Sequence, residues 1–150
     1  MVARIREFPA RLESAVGGLS EVQMDEPGGD GEWSVRQVVH HLADAHMNGF
    51  IRMKLVLTEE KPILKPYDQE RWAELPDTTR VPIDPSLEIL RGLHERWSSL
   101  LEGLPESAWQ RSGVHLEAGL LTLDSLLSTF VGHGENHLQQ IAQIRAAIRW

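Results

Sequence analysis

From Leu123 to Ile148 the chain repeats apolar side chains at helical intervals. Leu123, Leu126, Phe130, Ile141, Ile144 and Ile148 share one stripe, and His133 and His137 hold two slots where the pattern predicts Leu or Ile. On a helical wheel all eight fall within an arc of about 80°. A stripe that narrow on so long a helix must face other apolar surface, so the chain has to supply partner helices of similar length. Asp124 in the first turn, and Arg145 and Arg149 near the end, agree in sign with the helix dipole.

Three further segments qualify as partners. Ala3 to Gly17 places Ile5, Phe8, Leu12, Ala15 and Val16 at helical spacing and stops at Gly17-Gly18. Ser20-Glu21-Val22-Gln23 has capping-box spacing and opens one short turn. Pro27-Gly28-Gly29-Asp30-Gly31 is a loop by composition. At Trp33-Ser34-Val35-Arg36-Gln37-Val38, Ser34 and Gln37 form a second capping box flanked by an apolar staple, and the helix it opens runs to Leu57 or Thr58. Val38, Leu42, Ala45, Gly49, Arg52 and Val56 lie along one side of that helix; His41 sits beside Ala45 and Arg52, while His40 and His46 point elsewhere. Asp84-Pro85-Ser86 opens the next helix, with Asp84 as cap and Pro85 in the first turn. Leu87, Leu90, His94, Trp97, Leu101 and Leu104 form its buried side, and Pro105 stops it.

Between these helices, Glu59 to Pro82 shows no sustained period; its prolines and aromatics describe a packed loop with a short helix around Asp68 to Leu75. Ser107 to Gly119 is a mixed connection, with Trp109 buried and His115 in a loop. Four long amphipathic helices and one long loop describe an all-α four-helix bundle, a single domain over 150 residues.

Composition narrows the chemistry. The absence of cysteine removes disulfides, thiolate ligands and a cysteine nucleophile, and fits a reducing cytoplasm. A net charge of −7 without a basic stripe argues against a nucleic-acid partner. No stretch is apolar and long enough for a signal peptide or a membrane span.

The histidines are the chemistry that remains. His133 and His137, four apart, share one side of the last helix one turn apart. Two buried core histidines, each satisfied by a hydrogen bond, is one reading; two ligands of a single metal ion is the other. His41, the best-aimed histidine of its helix, is the candidate third ligand. Three neutral imidazoles leave a coordination position for water or substrate, and nitrogen ligands suit zinc, nickel, cobalt or iron. The spacing excludes a carboxylate-rich di-iron bundle, a His-Glu-x-x-His protease helix, a Gly-x-Ser-x-Gly elbow and a phosphate loop. Asp44, Glu135 and Asn136 are candidates to orient an imidazole from behind, with a surface role favoured for Glu135. Arg52 is a candidate for an anionic substrate group, and Tyr67, with Asp68 and Trp72, for a pocket mouth. His94 reads as core; His40, His46 and His115 read as ordinary structural or surface residues. Trp33, Trp97 and Trp109 read as core. No side chain stands out as a general base.

Several motifs together resemble the YfiT branch of the DinB superfamily. They are the run from Trp33 to Asn48, Ile51-Arg52-Met53-Lys54-Leu55, Leu57-Thr58-Glu59, Lys65-Pro66-Tyr67-Asp68, Trp72-Ala73-Glu74-Leu75, Leu93-His94-Glu95-Arg96-Trp97 and the closing His-x-x-x-His. The resemblance implies a four-helix bundle, a homodimer, and one divalent ion, zinc or nickel, held by His41, His133 and His137. It implies a metal-dependent hydrolase, or a transferase passing a low-molecular-weight thiol such as bacillithiol, mycothiol or glutathione to an electrophilic small molecule. Asn136 and Gln140 stand where some relatives carry extra histidines. The rival expectation, from a different class, is a non-catalytic or stress-related bundle in which the ion only staples two helices.

Overall fold

The computed structural model describes residues 1–148, so Arg149 lies outside the described residues. The chain runs α1 (Val2–Val16), α2 (Glu21–Met24), α3 (Val35–Thr58), β1 (Ile63–Leu64), α4 (Gln69–Ala73), α5 (Pro76–Thr79) and α6 (Asp84–Glu102), then a 3-10 turn (Glu106–Gln110), β2 (Ser112–His115), β3 (Gly119–Thr122) and α7 (Leu123–Ala147). The four long helices form the expected bundle. α1 and α3 each pack against both α6 and α7, so α1 and α3 occupy opposite corners.

Local chemistry accounts for the helix ends. Ser20 and Ser34 both make complete capping boxes, with Gln23 and Gln37 returning the bond. Thr122 caps α7 by accepting from the Ser125 N–H. Arg145, in the last turn of α7, donates to the Ala15 and Gly17 carbonyls and so satisfies the frayed end of α1. The start of α6 differs from expectation. Asp84 is its first helical residue, Ile83 is the cap, and no side-chain capping bond forms; Asp84 instead contributes its charge to the dipole.

The long loop carries two short helices, α4 and α5, where one was expected. Residues 107–119 are more ordered than a mixed connection. β2 and β3 form an antiparallel hairpin in the register Gly113↔Leu121, and β1 adds in parallel to β2. His115 ends β2, and its Nδ1 accepts the Glu117 and Ala118 N–H groups of the hairpin turn. Strands of two to four residues are too short to display a period of two. Trp97 is fully buried, whereas Trp33 and Trp109 are only partly so.

The bundle interior divides into two apolar clusters. One gathers Leu12, Val38, Leu42, Leu90, Ile141 and Ile144; the other gathers Met53, Val56, Trp97, Leu101, Leu126 and Phe130. Each fully buried Leu, Ile or Phe contributes about 1.5–3 kcal/mol. Along α3, α6 and α7 the segments between the clusters carry histidines: His46, His94, and His133 with His137. A polar layer therefore crosses the bundle between two hydrocarbon halves. Among the described residues, no helix is long and apolar enough to cross a membrane.

Candidate metal centre

α3 and α7 pack side by side, and that packing brings His41 to His133 and His137. One ring nitrogen of each lies within 4.8 Å of the others. His41 Nε2 is 3.1 Å from His133 Nε2, and His137 Nε2 is 3.1 Å from the same atom. The ring of Trp33 packs against that of His41 with centroids 4.9 Å apart. His137 donates from Nδ1 to the Gln140 side-chain oxygen at 2.7 Å. That bond places the single proton of a neutral ring on Nδ1 and leaves Nε2 a bare lone pair.

Burial keeps these rings neutral. It lowers the pKa of His41 to about 4 and of His133 to about 3, and the neighbouring imidazoles push in the same direction. His137 is lowered too, chiefly by burial, against the opposing pull of Gln140. Imidazole nitrogens 3.1 Å apart share one proton or face a cation between them. Two nitrogens bound to one ion at about 2.0–2.1 Å must lie within about 4.2 Å of each other, and the His41–His133 and His133–His137 pairs meet that limit. The donor set thus fits a divalent ion. Among the described residues no fourth His, Asp or Glu joins the group.

A cleft of about 430 Å³, lined by Trp33, Glu32, Gln69, Glu70, His137 and Gln140, reaches the centre at His137. A larger, mostly apolar groove of about 650 Å³ lies elsewhere, between Lys54, Leu100, Leu104 and Arg111, and contains none of the three histidines. Of these two, only the cleft beside His137 touches the centre.

The other candidates sort as follows. Arg52 and Tyr67 lie within each other's electrostatic reach, together with Asp44. Arg52 donates to the Lys65 carbonyl at 2.7 Å. Among the described residues the buried Tyr67 hydroxyl has no hydrogen-bond partner, and its pKa is raised to about 12, first by burial and then by Asp44. Burial raises the Asp44 carboxyl to about 6. Glu135 faces outward and pairs with Arg4 and Arg11, as its position opposite His133 implied. The group that orients His137 is Gln140, not Asp44, Glu135 or Asn136. Its spacing, three residues beyond His137, was the signal available in the sequence. His40 is buried, donates from Nε2 to the Val81 carbonyl and accepts at Nδ1 from Ser86. His46 and His94 belong to the histidine layer itself, and neither lies on the surface.

The geometry has close counterparts. A Geobacillus thermodenitrificans protein bearing the name "Putative metal-dependent hydrolase" is 44% identical, over 99% of this chain and 84% of its own length. A Bacillus subtilis protein, "Putative metal-dependent hydrolase YfiT", is 42% identical over 97% of this chain and 83% of its own. The solved structure of YfiT, described as having an unusual four-helix bundle topology, superposes with a TM-score of 0.92 over 95% of this chain and 82% of that one. The DinB superfamily pattern matches residues 4–141. With that match and these identities, the chain belongs to the DinB superfamily, in its YfiT-like branch.

Proposed function

We propose that this protein is a metal-dependent enzyme in which His41, His133 and His137 hold one divalent ion, zinc or nickel. The observation that carries this reading is the convergence of three imidazole nitrogens with no fourth protein ligand among the described residues, beside an open cleft. A structural ion is enclosed by four protein ligands, whereas a three-ligand set leaves room for a reactant. When bound, such an ion lowers the pKa of water or of a thiol enough to give a nucleophile near neutral pH.

The chain's own residues supply position and shape. Gln140 orients His137, and the Trp33 ring covers one side of His41. The unpartnered Tyr67 hydroxyl and the Arg52 guanidinium are assigned to substrate, the first as a hydrogen-bond donor and the second toward an anionic group. The relatives' names favour hydrolysis. Thiol transfer is the finer form of this reading. There the S–C bond to the electrophile forms as the leaving-group bond breaks, and the thiol proton departs with the leaving group. Because the chain has no cysteine, that sulfur comes from a low-molecular-weight thiol such as bacillithiol. The reading includes a homodimer in a reducing cytoplasm.

The test is turnover. Metal-loaded protein is incubated with a panel of small thiols and a chromogenic electrophile, and separately with ester and amide substrates, with and without chelator. Chelator-sensitive conjugation identifies the transferase; chelator-sensitive release of acid identifies the hydrolase. Inactivity in both panels would leave the ion as a staple between α3 and α7.

A further inference from the structure

The histidine layer contains more than the three candidate ligands. His133 Nδ1 on α7 lies 3.4 Å from His46 Nε2 on α3. His46 Nδ1 lies 2.7 Å from His94 Nε2 on α6, and His94 Nδ1 lies 2.6 Å from the Ile5 carbonyl oxygen on α1. Each of the four bundle helices contributes one group, and three hydrogen bonds link them in series from α7 through α3 and α6 to α1.

The far end sets the direction of the whole series. A carbonyl oxygen only accepts, so His94 Nδ1 must carry the proton. A neutral imidazole has one N–H, so His94 Nε2 accepts and His46 Nδ1 donates to it. By the same count His46 Nε2 accepts, and His133 Nδ1 donates. His133 Nε2 is then left bare, and it faces His41 and His137. Were His133 protonated on Nε2 instead, that atom could not bind an ion.

The sequence supplies the terminal acceptor in an unusual way. Pro9 lies inside α1 and has no N–H to give to the carbonyl four residues back. That carbonyl belongs to Ile5, and His94 takes the place of the missing helical donor. Aromatic rings wall the relay. Phe8 stacks on His94 with ring centroids 5.3 Å apart, and Trp97 and Phe130 present edges to His46. Two glycines admit these walls. A methyl at Gly49 would come within 2.5 Å of the Phe130 ring, and one at Gly134 within 2.9 Å of Phe8. Burial lowers the pKa of His94 to about 4, and His46, 1% exposed, lies within the same apolar walls.

We propose that His46 and His94 are positioning residues: the relay from the Ile5 carbonyl locks His133 as its Nδ1–H tautomer and thereby sets how tightly the three-histidine centre binds a divalent ion. This rests on the reading of His133 as a ligand. Neither residue touches the ion's position; both act through His133.

Two measurements decide it. In metal-free full-length protein labelled with 15N-histidine, long-range 1H–15N NMR separates the two ring nitrogens. His46, His94 and His133 are each expected to carry their proton on Nδ1; an Nε2–H at any of the three overturns the relay. Zinc affinity is then measured by competition with a chromophoric chelator, with helix content followed by circular dichroism. His46→Phe, which keeps an aromatic ring but no hydrogen bond, is expected to weaken zinc binding about 10–100-fold. His94→Leu weakens it in the same direction by less. His46→Gln, able to donate and accept, recovers most of the loss. Unchanged affinity in both His46→Phe and His94→Leu overturns the proposal. Failure of the unaltered protein to bind zinc would instead sink the ligand reading, and the tautomer spectrum would still decide the relay.

Discussion

The two sides of the histidine layer use the same side chain for opposite ends. On the cleft side, His133 and His137 turn bare Nε2 atoms toward one another at 3.1 Å once their outer bonds are counted, and His41 Nε2 lies 3.1 Å from the same His133 atom. On the α1 side, His46 and His94 are each 1% exposed, and every ring nitrogen has a partner. His40 provides a control on the same helix: it is buried and bonded at both nitrogens, to Ser86 and the Val81 carbonyl and not to another histidine. Burial alone therefore does not distinguish a ligand from a strut. The distinction lies in whether a lone pair is left facing another lone pair, because only a cation relieves that arrangement.

The largest expected effect tests the cleft side directly. His137→Ala should abolish stoichiometric zinc binding, a loss of more than about 100-fold, while circular dichroism still reports a helical fold. Unchanged zinc content by elemental analysis would remove His137 from the centre. The next concerns the buried side and the stability of the metal-free protein. His94 has a folded pKa of about 4 against an ordinary 6.5. Between those values the unfolded chain binds the proton and the folded one does not. Stability is thus full above pH 6.5, falls as the pH drops through that window, and loses about 3 kcal/mol from this group alone by pH 4. Urea melts across the window measure it, and a flat profile would contradict a neutral buried His94.

A smaller contrast comes from two glycines of α7. Gly134→Ala pushes a methyl toward Phe8, against the wall of the relay, and should cost about 1–3 kcal/mol. Gly132→Ala meets nothing within 4 Å and should stabilise the helix by about 0.5–1 kcal/mol. Thermal denaturation of the pair gives the sign of each. The smallest effect is expected at Glu135, which lies in sequence between two ligand candidates. Glu135→Gln loses ion pairs to Arg4 and Arg11 that are largely solvent-exposed, so stability should change by less than about 1 kcal/mol and zinc affinity not at all.

Much of this molecule is written locally. The capping boxes at Ser20 and Ser34, the stop at Gly17, the end of α3 at Thr58 and the narrow stripe of α7 all follow from contacts within a few residues. Pairing His133 with His137 required only the pitch of a helix. Asp84 does not cap α6 because the turn before it places Ile83 at the boundary, and composition does not reveal that one-residue shift. The hairpin at 112–122 went unseen because its strands are shorter than any period can show. Tyr67 and Arg52 could be singled out by type, but their mutual approach depends on how the long loop folds back over α3.

The amino-acid order by itself determined which segments are helical, which faces are apolar, and that two imidazoles share a side, since each depends on spacing along one helix. Only tertiary structure decided that α3 meets α7, so that His41 completes the trio, and that His46 and His94 stand behind it. Hydrogen-bond direction in that layer is set by a carbonyl on a fourth helix, and a chain read residue by residue carries no record of which distant acceptor a ring will find.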